Sequence, residues 1–496
     1  MQKNNLLIKK LKKQFLSIND SIESFFNKLK YIKLSKKEFK LSKNSRVFLG
    51  GVVVVTLIVS YLTLPVFYDN KIIELKIKNQ VLKKYNIYLK FNEKLNYRLF
   101  PKPHFVSSNS SIYEKQNSIA DINKFKIYID VNDFFSFNEI SIKDLIFENT
   151  DFNLYKNDFN FFYRLLQTEP NENKIIIKNS NIFFRDNYDE VLFINKIFNS
   201  KFYYDQKNLE NTLSSKNEIF NVPYNLIIRN DKFNKEIFTR LDSKKIRLAI
   251  ESSTNYDLDV KKGLIDIFSK NNSTSLNYKI DKNSFSFNSQ NNKNNYDGLL
   301  DFKPFYFSAN FNYEGLSAKN LFKEESLFID LIKSEILNNK NLNSNINLSV
   351  KNITNIYELN NLLLKIIIEE GDIKFLDSSI MWKDDLKIIL NDSLLSYENN
   401  EINLVGKLIF KFKNVNNFYN SFQVKKFHKK EIKEVYLDFI YNFNKNKINF
   451  YNVKVDKVSN DNLEKYIENF NKSENKIFNK VTFKNFVSKF FGAYAG

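Results

Sequence analysis

The stretch Glu401-Ile402-Asn403-Leu404-Val405-Gly406-Lys407-Leu408-Ile409-Phe410-Lys411-Phe412 puts Ile402, Leu404, Leu408, Phe410 and Phe412 on one side of an extended backbone. Successive side chains of a strand point to opposite faces, so this reads as a strand with one apolar and one wetted face. The arrangement recurs along the chain. Phe125, Ile127, Ile129 and Val131 alternate, as do Phe305, Phe307, Ala309, Phe311 and Tyr313, and Val435, Leu437, Phe439, Tyr441 and Phe443. Ile87, Leu89 and Phe91 precede Leu95, Tyr97 and Leu99, and Asn92-Glu93-Lys94 between them predicts the turn of a hairpin. With Asn-, Lys- and Asp-rich turns between such runs, the pattern amounts to roughly 20 strands.

Helical spacing interrupts this pattern in few places. Ile73, Ile77 and Val81 predict a short helix. Leu321, Phe322, Leu327, Phe328, Leu331, Ile332 and Ile336 predict another across 317–340, with Ser317 as N-cap. Leu463, Ile467 and Phe470, then Ile477, Val481, Phe486, Val487, Phe490 and Phe491, predict one or two amphipathic helices over 461–496. Clean alternation fits two architectures: sandwiches with dry interiors, or a long curved sheet whose concave apolar face is lined but not filled. The 50 Phe and 27 Tyr suit either, and no strict repeat marks a propeller or a parallel β-helix.

Val47 to Phe67 carries no charge and includes Val52-Val53-Val54-Val55. At about 1.5 Å per residue it reaches across a hydrocarbon core of about 30 Å. Its apolar length, its basic preface and the bulky Leu64-Pro65-Val66-Phe67-Tyr68 where small cleavage-site residues would stand argue for a retained signal-anchor over a cleaved signal peptide. The anchor rests on Val47, Val52, Val55, Leu57, Val59 and Leu62. Residues 1–46 hold 13 Lys or Arg against Asp20, Glu23 and Glu38, which keeps this end in the cytoplasm and sends the chain beyond 67 to the far side. In a Gram-negative cell that is the periplasm. Leu7, Leu11, Phe15, Ile18, Ile22, Phe25, Leu29 and Ile32 form one helical face within the basic segment, suited to an anionic inner leaflet or to a coiled-coil seam.

The formal net charge of +20 invites a nucleic-acid reading, but only 7 of 76 basic residues are Arg, the side chain that grips phosphate and guanine bidentately. No nucleic-acid partner is expected. The absence of Cys removes disulfides, thiolate zinc sites and cysteine nucleophiles. Two widely separated His make no HExxH, and the 9 Gly form no phosphate-cradling loop, so no metal or cofactor is expected. Glu369-Glu370 and Asp384-Asp385 fall at predicted turns, and His104 and His428 lack a nucleophile or an orienting partner nearby in sequence. No catalytic residue is identified, and an enzyme is not expected. Trp382, after Ile380-Met381, reads as packing. In Lys425-Lys426-Phe427-His428-Lys429-Lys430, the residues Lys425, Lys426, Lys429 and Lys430 either guard a sheet edge or contact anionic lipid headgroups.

The order of elements resembles the AsmA-like family of Gram-negative envelope proteins. The resemblance starts with the anchor, Leu64-Pro65 and a short helix, then Tyr85-Asn86-Ile87 and Leu99-Phe100-Pro101-Lys102-Pro103-His104-Phe105, similar to an FPxP-like turn into a strand. It continues with Asp133-Phe134-Phe135 before Ile140-Ser141-Ile142, and with Ile177-Lys178-Asn179-Ser180-Asn181-Ile182-Phe183-Phe184-Arg185-Asp186, where Ser180 stands for the usual Gly. A turn of the family is degraded to Asp158-Phe159-Asn160, and Pro304-Phe305 through the 317–340 helix and Phe418-Tyr419 through Val435 resemble its C-terminal portion.

The resemblance implies a mainly β fold: an inner-membrane anchor, then an elongated, twisted antiparallel β-groove with a few helices. It also implies phospholipid movement between inner and outer membranes without catalytic residues, or a scaffold role in outer-membrane protein targeting. The domains expected are 1–46 (basic, cytoplasmic), 47–67 (transmembrane), 68–316 (first groove segment), 317–340 (helix), 341–460 (second groove segment) and 461–496 (amphipathic helices). Candidate groove-lining residues are Phe125, Ile127, Ile129, Val131, Phe305, Phe307, Phe311, Ile402, Leu404, Leu408, Phe410 and Phe412. An apolar channel gains about 0.8 kcal/mol per buried CH₂ of an acyl chain. About 20 strands at ~4.8 Å span roughly 100 Å, so an outer-membrane or periplasmic protein partner, or shuttling, would complete the path.

Overall fold

The computed structural model describes residues 43–496 apart from 115–116, 133, 136–139, 156–160, 171, 187, 256–260, 270–271, 282–283, 290–293, 303–304, 318–326, 335, 338, 355 and 474–479. The expected basic helix over 5–32 and the Asp158-Phe159-Asn160 turn lie outside the described residues. The fold is mainly β. Its contacts group into two compact units: one runs to Thr150 and takes in Asn171–Ile176, and the other holds Asp151–Pro170 and Ile177–Gly496.

The first unit opens with the helix Lys43–Thr63, continued as a 3-10 turn over Leu64–Phe67. Pro65 stands in the first turn of that 3-10 segment, where its missing N–H costs nothing. Phe48–Phe67 is long and apolar enough to cross a membrane. A second helix, Asn70–Tyr85, is capped by Asp69, whose carboxylate accepts from the Lys71 and Ile72 amides, and ends at Asn86 in the left-handed region. Ile73, Ile77 and Val81 recur at steps of four, so they share the buried side of this helix, as their spacing predicts.

The expected 87–99 hairpin is not formed. Tyr88–Phe91 and Asn96–Arg98 both pair antiparallel with the single strand His104–Glu114, Tyr88 opposite Tyr113 and Arg98 opposite His104. Residues 92–95 interrupt one continuing strand position and do not reverse the chain. The strand Asn117–Ile129 flanks the other edge of His104–Glu114. Beneath the 70–85 helix the Phe91 ring stacks on Phe125, and Phe125 on Phe147 at 4.7 Å.

In the second unit each strand from Val191–Asp205 to Phe305–Leu316 pairs antiparallel with the next. Among the pairings described for these strands, one departs from the antiparallel expectation: Phe305–Leu316 runs parallel to Asn343–Ile353, with Ala309 opposite Ile346 and Tyr313 opposite Val350. Parallel neighbours require a crossover of a dozen or more residues, and 317–342 supplies it. Of the expected 317–340 helix the described helical part is Leu327–Lys333, inside that crossover; the described residues after it, 334, 336–337 and 339–340, are not helical, so Ile336 falls beyond its end. The order then returns to antiparallel up to Val458–Ser459.

With few glycines, the chain turns on asparagine and on charged residues. Asn399 and Asn400 both take positive φ between paired Glu398 and Glu401, and Asp456 and Lys457 do the same between Val455 and Val458. Two consecutive left-handed residues give the turn that matches strand twist, and Asn and Asp tolerate that region best after Gly.

Candidate functional site: an apolar sheet face and its cleft

Residues directly opposite in neighbouring strands share a face, so the register converts strand alternation into rows across the second unit. One row runs Leu226, Leu241, Ile250, Ile267. Another runs Tyr278, Phe287, Gly298, Ala309, Ile346, Ile366. Beside it lie Phe285, Leu300 and Phe307, and Phe311, Leu348 and Leu364. Farther on, Ile388, Phe410 and Val435 align, as do Leu390, Leu408 and Leu437, and Leu395, Leu404 and Tyr441. Many members, among them Leu226, Ile250, Phe287, Phe311, Leu348, Leu364, Leu404 and Leu408, are only half-buried.

Short helices cover parts of this face. Phe161–Leu166 buries Phe161, Leu165 and Leu166, and the paired, inward Asn211 and Asn230 both donate to the Leu166 carbonyl, one of the acceptors a helix end leaves free. The crossover helix buries Ile329 and Ile332 against Ile368, Ile373, Phe375 and Ile402, and its Asp330 accepts from the Arg247 guanidinium. Just beyond, Asn341 donates to the Val191 and Leu192 carbonyls at 3.3 and 2.9 Å.

At the C-terminal end the same face opens into an apolar cleft of about 500 Å³, a size in the usual range of small-molecule sites. Leu362, Leu364, Ile380, Ile388, Leu390, Leu404, Leu408, Phe410, Leu437, Phe439, Ile448 and Phe450 line it, with Ser378, Ser379 and Tyr441 as the polar members. Its remaining wall is Phe483 and Phe486 of the last helix, Lys480–Ala495. That helix buries Val487, Phe490 and Phe491, and Phe486 packs its ring at 5.4 Å from Phe450 and 4.9 Å from Phe470. Phe470 belongs to the preceding helix Asp461–Lys472, which Asn460 caps through the Leu463 amide and which rests on the strand Lys447–Val455 through Leu463 and Ile467. No ionisable group other than Tyr441 lines the cleft, so nothing there would need a counter-ion when water is displaced.

The candidate groove residues fall into three groups. Leu404, Leu408 and Phe410 line the cleft, and Phe307 and Phe311 are half-buried in the rows, beside Phe305, whose side chain is outside the described set. Ile402 is buried under the crossover helix, and Phe412 packs on Phe418 at 5.3 Å. Phe125 and Ile127 are 0% exposed and Ile129 is 4% exposed, while Val131 lies two residues past the end of its strand. At Phe125, Ile127 and Ile129 the expected open groove is a filled interior: Phe125 stacks between Phe91 and Phe147, and the 70–85 helix packs on the strand Tyr88–Phe91. Alternation gives the face but not the cover, which is why both kinds of site look alike in sequence. Strand alternation does not reach Phe483 and Phe486, which wall the cleft; their spacing of three on an amphipathic helix is the signal that points to them.

Of the anchor residues, Val52, Val55 and Leu57 are exposed along the first helix and Val59 and Leu62 are half-exposed; Val47 belongs to the helix. Lys425 and Lys426 are exposed at a 3-10 turn, whereas Lys429 donates to Asn420 Oδ1 at 2.6 Å and Lys430 to the Tyr494 carbonyl at 3.4 Å. None of the four lines the cleft. Glu369 pairs with Lys374, and Asp385 accepts from Asn417. His104 is buried, stacks on Tyr128 at 4.9 Å and donates through Nδ1 to the Lys102 carbonyl; burial holds its pKa below the usual histidine range. Trp382 packs on Phe422 at 5.1 Å. Among the described residues no group of three His, Asp or Glu is placed to hold a metal ion. A scan against protein-family models finds no match for this chain, and a search of curated proteins finds none either.

Proposed function

We propose that this is an inner-membrane-anchored protein of AsmA-like type that holds phospholipid acyl chains along the apolar face of its second unit and shields or moves them between the two membranes. The half-exposed apolar rows carry this reading. A core would bury such side chains completely, whereas a surface built for acyl chains leaves them accessible until lipid arrives. The Asn341 hydrogen bonds support a curved face. Ten strand spacings separate Val191–Asp205 from Asn343–Ile353, about 48 Å on a flat sheet, yet Asn341 reaches Val191. The cleft would then receive one end of an acyl chain. In the proposed topology the basic end remains in the cytoplasm and the β units stand in the periplasm.

The test is bound lipid in the purified full chain, wild type beside Leu408→Asp. Leu408 is half-buried at the cleft, so its carboxylate would meet water when the site is empty; the expected mutant stays folded and loses lipid. A wild type that never carries lipid, or a folded mutant with wild-type lipid content, would refute the reading. The scaffold alternative draws on the filled interior of the first unit, and the lipid-free outcome would favour it.

A further inference from the structure

Three tyrosines tie the end of the apolar helix to the folded part of the first unit. Tyr61 donates to the Val131 carbonyl, Tyr68 to the Phe134 carbonyl, and Tyr97 to the Leu62 carbonyl, each at 2.5 Å. The Tyr61 ring also lies 5.6 Å from Phe134 and 4.5 Å from Phe135. Tyr61 is within the apolar stretch Phe48–Phe67, six residues before its end. That stretch, at about 1.5 Å per residue, is only just as long as a hydrocarbon core is thick, so it has no slack to lift Tyr61 clear of the bilayer. An exposed ring packed against Tyr61 therefore meets lipid.

The side chains and the backbone agree on this. Phe135 is 73% exposed and Phe67 is 78% exposed, large rings left mostly open in a unit that buries Phe125, Phe134 and Phe147 completely or nearly so. The carbonyls are treated in the opposite way. A carbonyl in water needs no protein donor, but one within a bilayer must be satisfied from inside the protein. The Val131 carbonyl, only partly buried in the protein, receives the Tyr61 hydroxyl, whereas the Phe134 carbonyl, bonded by Tyr68, lies in the interior of the unit itself. Leu62, whose carbonyl is among those a helix end leaves without an intrahelical donor, receives the third. Tyrosine suits this depth, with an apolar ring and a polar tip.

We infer that the Phe135 and Phe67 rings are seated in the leaflet where the anchor helix ends, among its outer acyl carbons. The partner is the lipid bilayer itself. The inference rests on the reading of the helix as a bilayer span, and holds for either orientation of that span.

Trp382 is the sole tryptophan, so the full chain carrying Trp382→Phe can report from one introduced site. Phe135→Trp and Leu57→Trp would each be made in that background and reconstituted into phosphatidylcholine–phosphatidylglycerol vesicles with brominated acyl chains. Leu57 is in the middle of the apolar stretch and reports on the span alone. The expected result is loss of emission from both, with Phe135→Trp quenched most by bromines near the headgroup end and shielded from aqueous iodide. Quenching of Leu57→Trp without quenching of Phe135→Trp overturns the seated rings and leaves the span standing. Quenching of neither overturns both.

Discussion

Gly298 faces Phe287 across the apolar face, and Gly263 faces Tyr278 in the same way. A Cβ at Gly298 would collide with the Phe287 ring, and one at Gly263 with the Ser253 carbonyl and the Tyr278 ring, so the missing side chains are what let these rings lie across their neighbours. His104 is a second residue whose setting is specific. It is buried against Tyr128 with its pKa lowered, chiefly by desolvation. The unfolded chain then binds the extra proton more readily than the fold does, so His104 weakens the fold as pH drops below the unfolded value of about 6.5. Above that pH its effect is absent. His104→Gln is expected to flatten the decline in thermal stability between neutral and mildly acidic pH; an unchanged decline would assign it to other groups. Neither setting is legible in the sequence. Alternation puts Gly and His on a face, but the neighbour that presses on each depends on register, which is fixed by pairings formed far along the chain.

Elements with one strong local signal were legible. The Asn70–Tyr85 helix follows from Ile73, Ile77 and Val81, and the C-terminal helices from their apolar spacing. Two arrangements were not. The 92–94 turn looks like a hairpin because polar residues between apolar alternations usually reverse a chain, yet the long strand His104–Glu114 offers an edge that accepts both halves in line. The parallel step at Phe305–Leu316 depends on where the crossover returns, which no local pattern encodes. The final helix allows a prediction at this scale. Phe486 both lines the cleft and packs on Phe450 and Phe470. Phe486→Ala should lower stability by up to about 3 kcal/mol, the low end for aromatic truncation because the ring is only partly buried. It should also widen the cleft and raise the lipid carried per chain. Thermal unfolding and lipid analysis of the full chain measure both, and a destabilised variant with less lipid would show that the helix builds the site by its shape and not by filling it.

At the scale of the molecule the mainly β fold and the apolar helix were readable from periodicity and composition, whereas open and filled portions of the apolar face were not. The difference lies in the covering helices, and a strand's alternation is the same beneath a helix and beneath water. The orientation proposed here rests on the cation excess before Val47. Protease added to spheroplasts should therefore digest the chain beyond about residue 70; protection of that region would reverse the topology. The central claim is that one face of the second unit carries acyl chains. A photoreactive phenylalanine analogue placed singly at Phe410, Phe311 or Leu364, on the apolar rows, and at Lys407 or Leu363, exposed on the opposite side, tests it in living cells. The account predicts phospholipid crosslinks at the first three positions and none at the last two. Crosslinks on both faces alike, or on neither, would contradict it.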